Sequence, residues 1–379
     1  MEIAENTTMG PHDVAVMETP TAEPSAQWRG PLFVIGMWRS GTSLLYALLN
    51  KHPQIALLYE GDVHMLRPLF WMPIPGKWKV RRWEFWNEAL QRHHLDATEF
   101  SGGDLRKLAG EAYRQYAHNE GAIIGGEKSP NYFDSITRLA QDFPDARFIV
   151  IWRDPEAICN SVIRAARKIH SWFDRGGMWL RVLLGMEEMR MECNRLVAKY
   201  PTRLHELSYE EMVRDPEKTM KAICDFLEIP FVPDMASLEG ADRSAIYEAG
   251  PHEMVRSKHI VSSARRADVV PTKLKKKIAC YVSLWRENYA ESWPQIQDWK
   301  TCGSVQPSLF ERLSDRVLYR CLRLLDAAIV LAYCLVPLAL LGRFRHFQRK
   351  REEVRARRQQ AKTPSQSSSS NAATTSRSE

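Results

Sequence analysis

The sequence lacks paired cysteines, metal-binding motifs and any apolar N-terminal run. Its seven cysteines lie no closer than 13 residues apart, so there is no CxxC pair for a zinc site or a redox dithiol. An odd, scattered set gives no disulfide framework either, and buried thiols in a reducing, cytoplasmic compartment are the expectation. No HxxxH, HExxH or DxD-like cluster is present, so no metal is expected. The residues before Arg29 include five acidic side chains and no Lys or Arg. That pattern reads as a disordered leader over 1–30 rather than a signal peptide.

Most of the chain also lacks a charge excess. The 379 residues sum to +7, from 53 Lys/Arg and 46 Asp/Glu. Residues 342–379 alone hold ten basic and three acidic groups, which leaves 43 of each sign in the rest. A neutral body speaks against a nucleic-acid partner. With 44% hydrophobic residues the chain can bury a substantial core, and no internal repeat interrupts it.

What is present is an alternation of short apolar runs and helical patterns. Residues 32–36 (LFVIG) read as a buried parallel strand, and 43–49 as the helix after it. Further strands are expected at 122–125, 147–152 and 203–207, each followed by a helix, at 132–141, 156–168 and 216–227. Another helix is expected over 178–199. Strands alternating with helices imply right-handed crossovers, hence an α/β fold with a three-layer parallel sheet over about 31–300. Residues 70–86 crowd four Trp and two Phe among Pro, Gly and basic residues, which suits packing, an acceptor pocket or a dip into a membrane surface. His93 and His94 read as a solvated helical pair.

The strongest chemical signal is Gly36-Met37-Trp38-Arg39-Ser40-Gly41-Thr42-Ser43, between the first strand and the first helix. The glycine spacing is that of a phosphate-binding P-loop. Glycines let several backbone N–H groups face one anion, and the helix N-terminus adds partial positive charge. Thr42 stands where a nucleotide-hydrolysing loop has Lys, and Arg39 is the only charged residue in the loop.

Residues 39–45 (RSGTSLL) resemble the loop of the PAPS-dependent sulfotransferases, and four further places follow in that family's order. These are Trp152-Arg153-Asp154-Pro155 with Ser161, Ser208-Tyr209-Glu210-Glu211 with Asp215-Pro216, Glu127-Lys128-Ser129-Pro130, and His52-Pro53 followed by Glu60. The last is similar to the tyrosylprotein-sulfotransferase-like branch. The resemblance covers about 31–230. It implies PAPS as sulfuryl donor and PAP as product. It also implies that Arg39, Ser40, Gly41, Thr42 and Ser43 hold the 5′-phosphosulfate end, and that Arg153 and Ser161 hold the 3′-phosphate. Glu60 is then the base, with Asp62, His64 and His52 as substitutes. Tyr209, and Ser263 or Arg265 in a later basic loop, complete the expected donor site.

The residue chemistry agrees. Sulfuryl transfer to a hydroxyl needs an anion cradle, a base for the acceptor proton and a cation on the leaving oxygen. Lys128 at a strand's carboxyl end suits the last role, and the Arg153 fork suits a phosphate. The alternatives are a P-loop kinase or nucleotide hydrolase, or a non-catalytic nucleotide-binding membrane adaptor. The acceptor is left open between a lipid, a glycolipid and a protein tyrosine.

Residues 306–360 read as a helical extension, with disorder over 361–379. Phe310, Leu313, Val317, Cys321 and Leu324 form an apolar stripe beside Arg312, Arg316, Arg320 and Arg323. Residues 327–341 are uncharged, and the next 17 hold eight Lys/Arg and two Glu. The uncharged run spans only ~22 Å, short of a ~30 Å hydrocarbon core. Peripheral docking on an anionic membrane through 308–358 is therefore expected. A helix packed on the body or on a second protomer, as a homo-oligomer, is the alternative.

Overall fold

The computed structural model describes residues 28–62, 86, 89–96, 100, 105–169, 177–246, 255, 260 and 268–335. Ser263, Arg265, His64, most of the 70–86 aromatic segment and everything after 335 lie outside them.

Five strands form one parallel sheet in the order β2-β3-β1-β4-β5. They are β1 (Arg29–Gly36), β2 (Ile55–Tyr59), β3 (Ile124–Lys128), β4 (Arg147–Trp152) and β5 (Leu204–Ser208). The connecting helices are α1 (Thr42–Leu49), α2 (Leu105–Asn119), α3 (Ile136–Asp142), α4 (Pro155–Ile169) and α5 (Met178–Lys199). After β5 come α6 (Tyr209–Arg214), α7 (Pro216–Leu227), α8 (Thr272–Tyr289) and α9 (Leu309–Leu335). The α/β fold with helices on both faces is as the alternation implied.

The near-continuous apolar runs follow from burial on both faces, since successive side chains in a strand point opposite ways. Leu32 and Val34 join Ile149, Ile151 and Leu57 under α1 and α7. Phe33 and Ile35 join Phe148, Val150 and Trp152 under α2, α3, α5 and α8. The sequence changes direction about β1, which lies between β3 and β4. Ligands bind outside the carboxyl ends of strands at such a switch point.

Three expected boundaries move by three residues or more, the first strand beginning at Arg29 rather than at residue 32. The third strand runs over Ile124–Lys128 rather than 122–125, pairing with β1 and β2 up to Lys128. Its charged end, Glu127-Lys128, read as the residues just after the strand. The helix expected from residue 132 starts at Ile136, because Pro130–Tyr132 forms a separate 3₁₀ turn capped by Ser129.

Candidate active site

The phosphate loop is shaped by what Gly36 and Gly41 lack. A Cβ on Gly41, whose φ is 107°, would run into the Tyr209 ring. Gly41 is also the N-cap of α1 and brings no side-chain acceptor to its first amides, which leaves that end suited to an anion. Arg39 is left-handed as well, at φ 70°. Non-glycine residues in this region carry backbone strain of ~1–3 kcal/mol and concentrate at functional sites. Ser40 is buried, with Oγ turned toward Gly36 and no hydrogen-bond partner among the described residues.

Arg39, Arg153 and Ser161 converge. Arg39 donates from Nε to Ser161 Oγ at 3.1 Å, and Arg153 donates to the Arg39 carbonyl at 2.7 Å. The Arg153 guanidinium lies 4.1 Å over the Tyr209 ring, so Tyr209 is sandwiched between the loop and this cation. Asp154 caps α4 by accepting from the amides of Glu156 and Ala157. That cap fixes the chain directly after Arg153.

A second group forms at the ends of β2 and β3. Lys128 is fully buried and donates to Glu60 Oε1 at 2.5 Å. Its ammonium also lies 3.8 Å from the centre of the Tyr59 ring. Burial pushes the Lys128 pKa down, but Glu60 and Tyr59 outweigh it and hold the ammonium above its ordinary value. Glu60 is left-handed at φ 49°, with its amide on the Lys128 carbonyl at 2.9 Å. The two groups join through Ser43, whose Oγ is 2.8 Å from the Tyr59 hydroxyl.

A buried carboxylate layer supports Glu60. Glu127 accepts from the Tyr113 and Tyr132 hydroxyls at 2.6 and 2.9 Å and from the Asp62 amide. Asp62, at φ 52°, accepts from Ser129 and from Asn131, the latter at 2.8 Å. Asn131 in turn accepts from Trp38 of the loop at 2.9 Å. Burial, reinforced by the Asp62 charge, pushes Glu127 up to about 8. Burial and Glu60 push Asp62 up to about 6. Together these bonds clamp the turn 60–62 that carries Glu60.

Two histidine expectations need correcting. His52 is no substitute base: it is buried, with Nε2 2.8 Å from the Pro230 carbonyl and Nδ1 accepting the Gln54 amide. His93 is not solvated. It accepts the Tyr59 amide at 2.8 Å, and burial lowers its pKa to about 3, so it is neutral. Sequence reasoning also missed Tyr59, Glu127 and Asn131. The signals on offer were the position of Tyr59, directly before Glu60 in an apolar run, and that of Glu127 in the Glu127-Lys128-Ser129-Pro130 step. Among the described residues no group of three or more His, Cys, Asp or Glu is placed to hold a metal ion.

Protein-tyrosine sulfotransferase 1 of Danio rerio is 28% identical over 212 residues, 53% of this chain and 53% of its own length. An omega-hydroxy-beta-dihydromenaquinone-9 sulfotransferase of Mycobacterium tuberculosis is 26% identical over 262 residues, 56% of this chain and 64% of that one. The chain thus spans about half the length of the protein-tyrosine relative. Among solved structures, the sulfotransferase domain from the curacin biosynthetic pathway covers 68% of this chain and 99% of its own, at 18% identity and a TM-score of 0.45. The Sulfotransferase family model matches residues 31–234, from β1 past α7 and so through the loop, Glu60, Lys128, Arg153 and Tyr209. That match spans more than half of the chain, which therefore belongs to the sulfotransferase family.

Proposed function

We propose that the chain is a PAPS-dependent sulfotransferase that moves a sulfuryl group to a hydroxyl acceptor. The supporting observation is the Lys128–Glu60 pair at 2.5 Å, at the same sheet edge as a glycine loop flanked by Arg39 and Arg153. When bound, the donor supplies an activated sulfur–oxygen bond. Glu60 takes the acceptor proton as the acceptor oxygen bonds to sulfur. The bond from sulfur to the bridging oxygen breaks, and Lys128 stabilises the charge left on that oxygen. Arg39 and the amides of Gly41, Thr42 and Ser43, with Ser40 supporting the loop, hold the 5′ end. Arg153 and Ser161 hold the 3′-phosphate, and Tyr209 props up both Gly41 and Arg153.

Within this reading residues 31–300 are the catalytic unit and PAP is the product. The acceptor is a lipid, glycolipid or tyrosine hydroxyl. The relatives' names give a protein tyrosine in one case and a hydroxylated dihydromenaquinone in the other. Peripheral membrane association through 308–358 belongs to the same proposal.

The test pairs calorimetry with transfer of labelled sulfate from PAPS to a cell extract fractionated into lipid, protein and small metabolites. PAP is expected to bind, ATP with magnesium is not, and label enters one fraction. Lys128→Ala or Arg39→Ala should lower transfer by about 10²–10³-fold while the cooperative melt is kept. Near-normal turnover in either variant sinks the site assignment.

A further inference from the structure

Helix α9 is amphipathic in the reverse of the usual sense. Its inner face is mostly polar and is held to the body by specific pairs. Asp315 accepts from Lys277 and from the Tyr281 hydroxyl, each at 2.8 Å. Arg316 donates to Glu187 at 3.0 Å and the Tyr319 hydroxyl to Glu188 at 2.6 Å. Asp326 accepts twice from Arg181, at 2.9 and 3.1 Å, and Arg323 pairs with Asp134. The outer face carries Phe310, Leu313, Val317, Cys321, Leu324 and Leu325, all exposed, Phe310 at 78% and Leu324 at 70%. At about 100° per residue these six fall within an arc of about 120°, and no charged side chain lies inside it.

We propose that this outer face is the surface by which the protein lies on an anionic bilayer, with the α9 axis in the membrane plane. Three observations favour a bilayer over a second copy of the chain. Exposed Arg320 borders the stripe, where a phosphate headgroup would meet it. The sequence continues the stripe into the uncharged run 327–341 and then into eight Lys/Arg against two Glu. Each basic residue near an anionic surface gains about 1 kcal/mol, whereas two parallel copies would bring like charges together. Among the described residues no helix is long and apolar enough to cross a membrane, and an amphipathic helix with a basic flank suits an in-plane pose.

The docking also fixes an orientation. Arg323 lies 5.2 Å over the Phe133 ring, which packs 5.4 Å from Trp38 of the phosphate loop. The inner face of α9 thus packs toward the loop end of the sheet, and a bilayer on its outer face lies on the far side of the helix from that loop. The inference rests on the membrane part of the proposed function and not on its chemistry, so it is tested without donor.

The full chain is floated with phosphatidylglycerol–phosphatidylcholine vesicles, beside Val317→Asp/Leu324→Asp and a second variant with Arg349, Lys350 and Arg351 changed to Gln. Circular dichroism checks each fold. Wild type is expected to float with anionic vesicles and the stripe variant to lose at least about tenfold in partition, with its circular dichroism unchanged. As a second readout, an environment-sensitive dye on Cys321, with Cys302 and Cys334 replaced by Ser, should shift to the blue on adding vesicles. If the stripe variant floats like wild type while the basic variant does not, membrane association stands and the assigned face is wrong. If wild type never floats, both the face and the membrane reading fail. A dimer broken by the stripe substitutions, with no flotation, overturns the proposal in favour of a second copy.

Discussion

Glu127 shows what the site demands of one residue. It is fully buried, yet it receives three donors and so clamps the turn that presents Glu60. Its pKa is raised from 4.5 to about 8, and that of Asp62 from 3.8 to about 6. Between the unfolded and folded values the native state binds more protons than the unfolded chain. The contribution of these groups to stability is therefore fully present below about pH 4 and is lost as pH rises through about 6 and then 8. The slope from Glu127 reaches at most about 1.4 kcal/mol per pH unit. Glu127→Gln keeps an acceptor for the Asp62 amide and should flatten this dependence when urea midpoints are compared at about pH 5 and about pH 8. A slope equal to that of wild type would remove Glu127 as its source. The burial of this layer was not legible in the sequence, where Glu127-Lys128 read only as residues leaving a strand's carboxyl end. Their burial depends on Glu60 and Asp62, some 65 residues earlier, and no local pattern reports such a partner. The glycine loop was legible, because its backbone geometry demands those residue types locally.

At the scale of the element, α9 divides what sequence can and cannot tell. The three- and four-residue spacing of its apolar positions marked a helix with a stripe. It gave no direction for that stripe, because docking is decided by Lys277, Tyr281, Glu187 and Asp134 on other elements. Asp315 is buried, at 7% exposure, and is shared by two donors. Asp315→Ala leaves both donors without that acceptor and should cost about 1–3 kcal/mol. Limited proteolysis should then release α9 before the sheet domain is cut, while urea unfolding of the remainder changes little. Simultaneous loss of α9 and the sheet domain would mean that the helix is integral to the core.

For the whole molecule, charge and chemistry occupy different parts. The first 341 residues are neutral overall, so the donor meets a few placed cations rather than a broadly basic surface. A chain ending at residue 341 should therefore leave a cation exchanger at much lower salt, yet keep its affinity for PAP within about twofold. A fall of tenfold or more would mean that the long-range field of the C-terminal segment, and not the site alone, holds the nucleotide.

The inverted amphipathicity of α9 has a consequence for mutational tolerance. On an ordinary surface helix, selection for folding guards the apolar face and leaves the polar face free to drift. Here the two kinds of selection separate by face. A screen for expression or heat resistance should be sensitive at Asp315, Tyr319, Arg323 and Asp326 and accept polar replacements at Phe310, Val317 and Leu324. A screen that reads where the protein resides in the cell should give the complementary map. A helix that looks half dispensable in either experiment would be fully constrained when the two are overlaid.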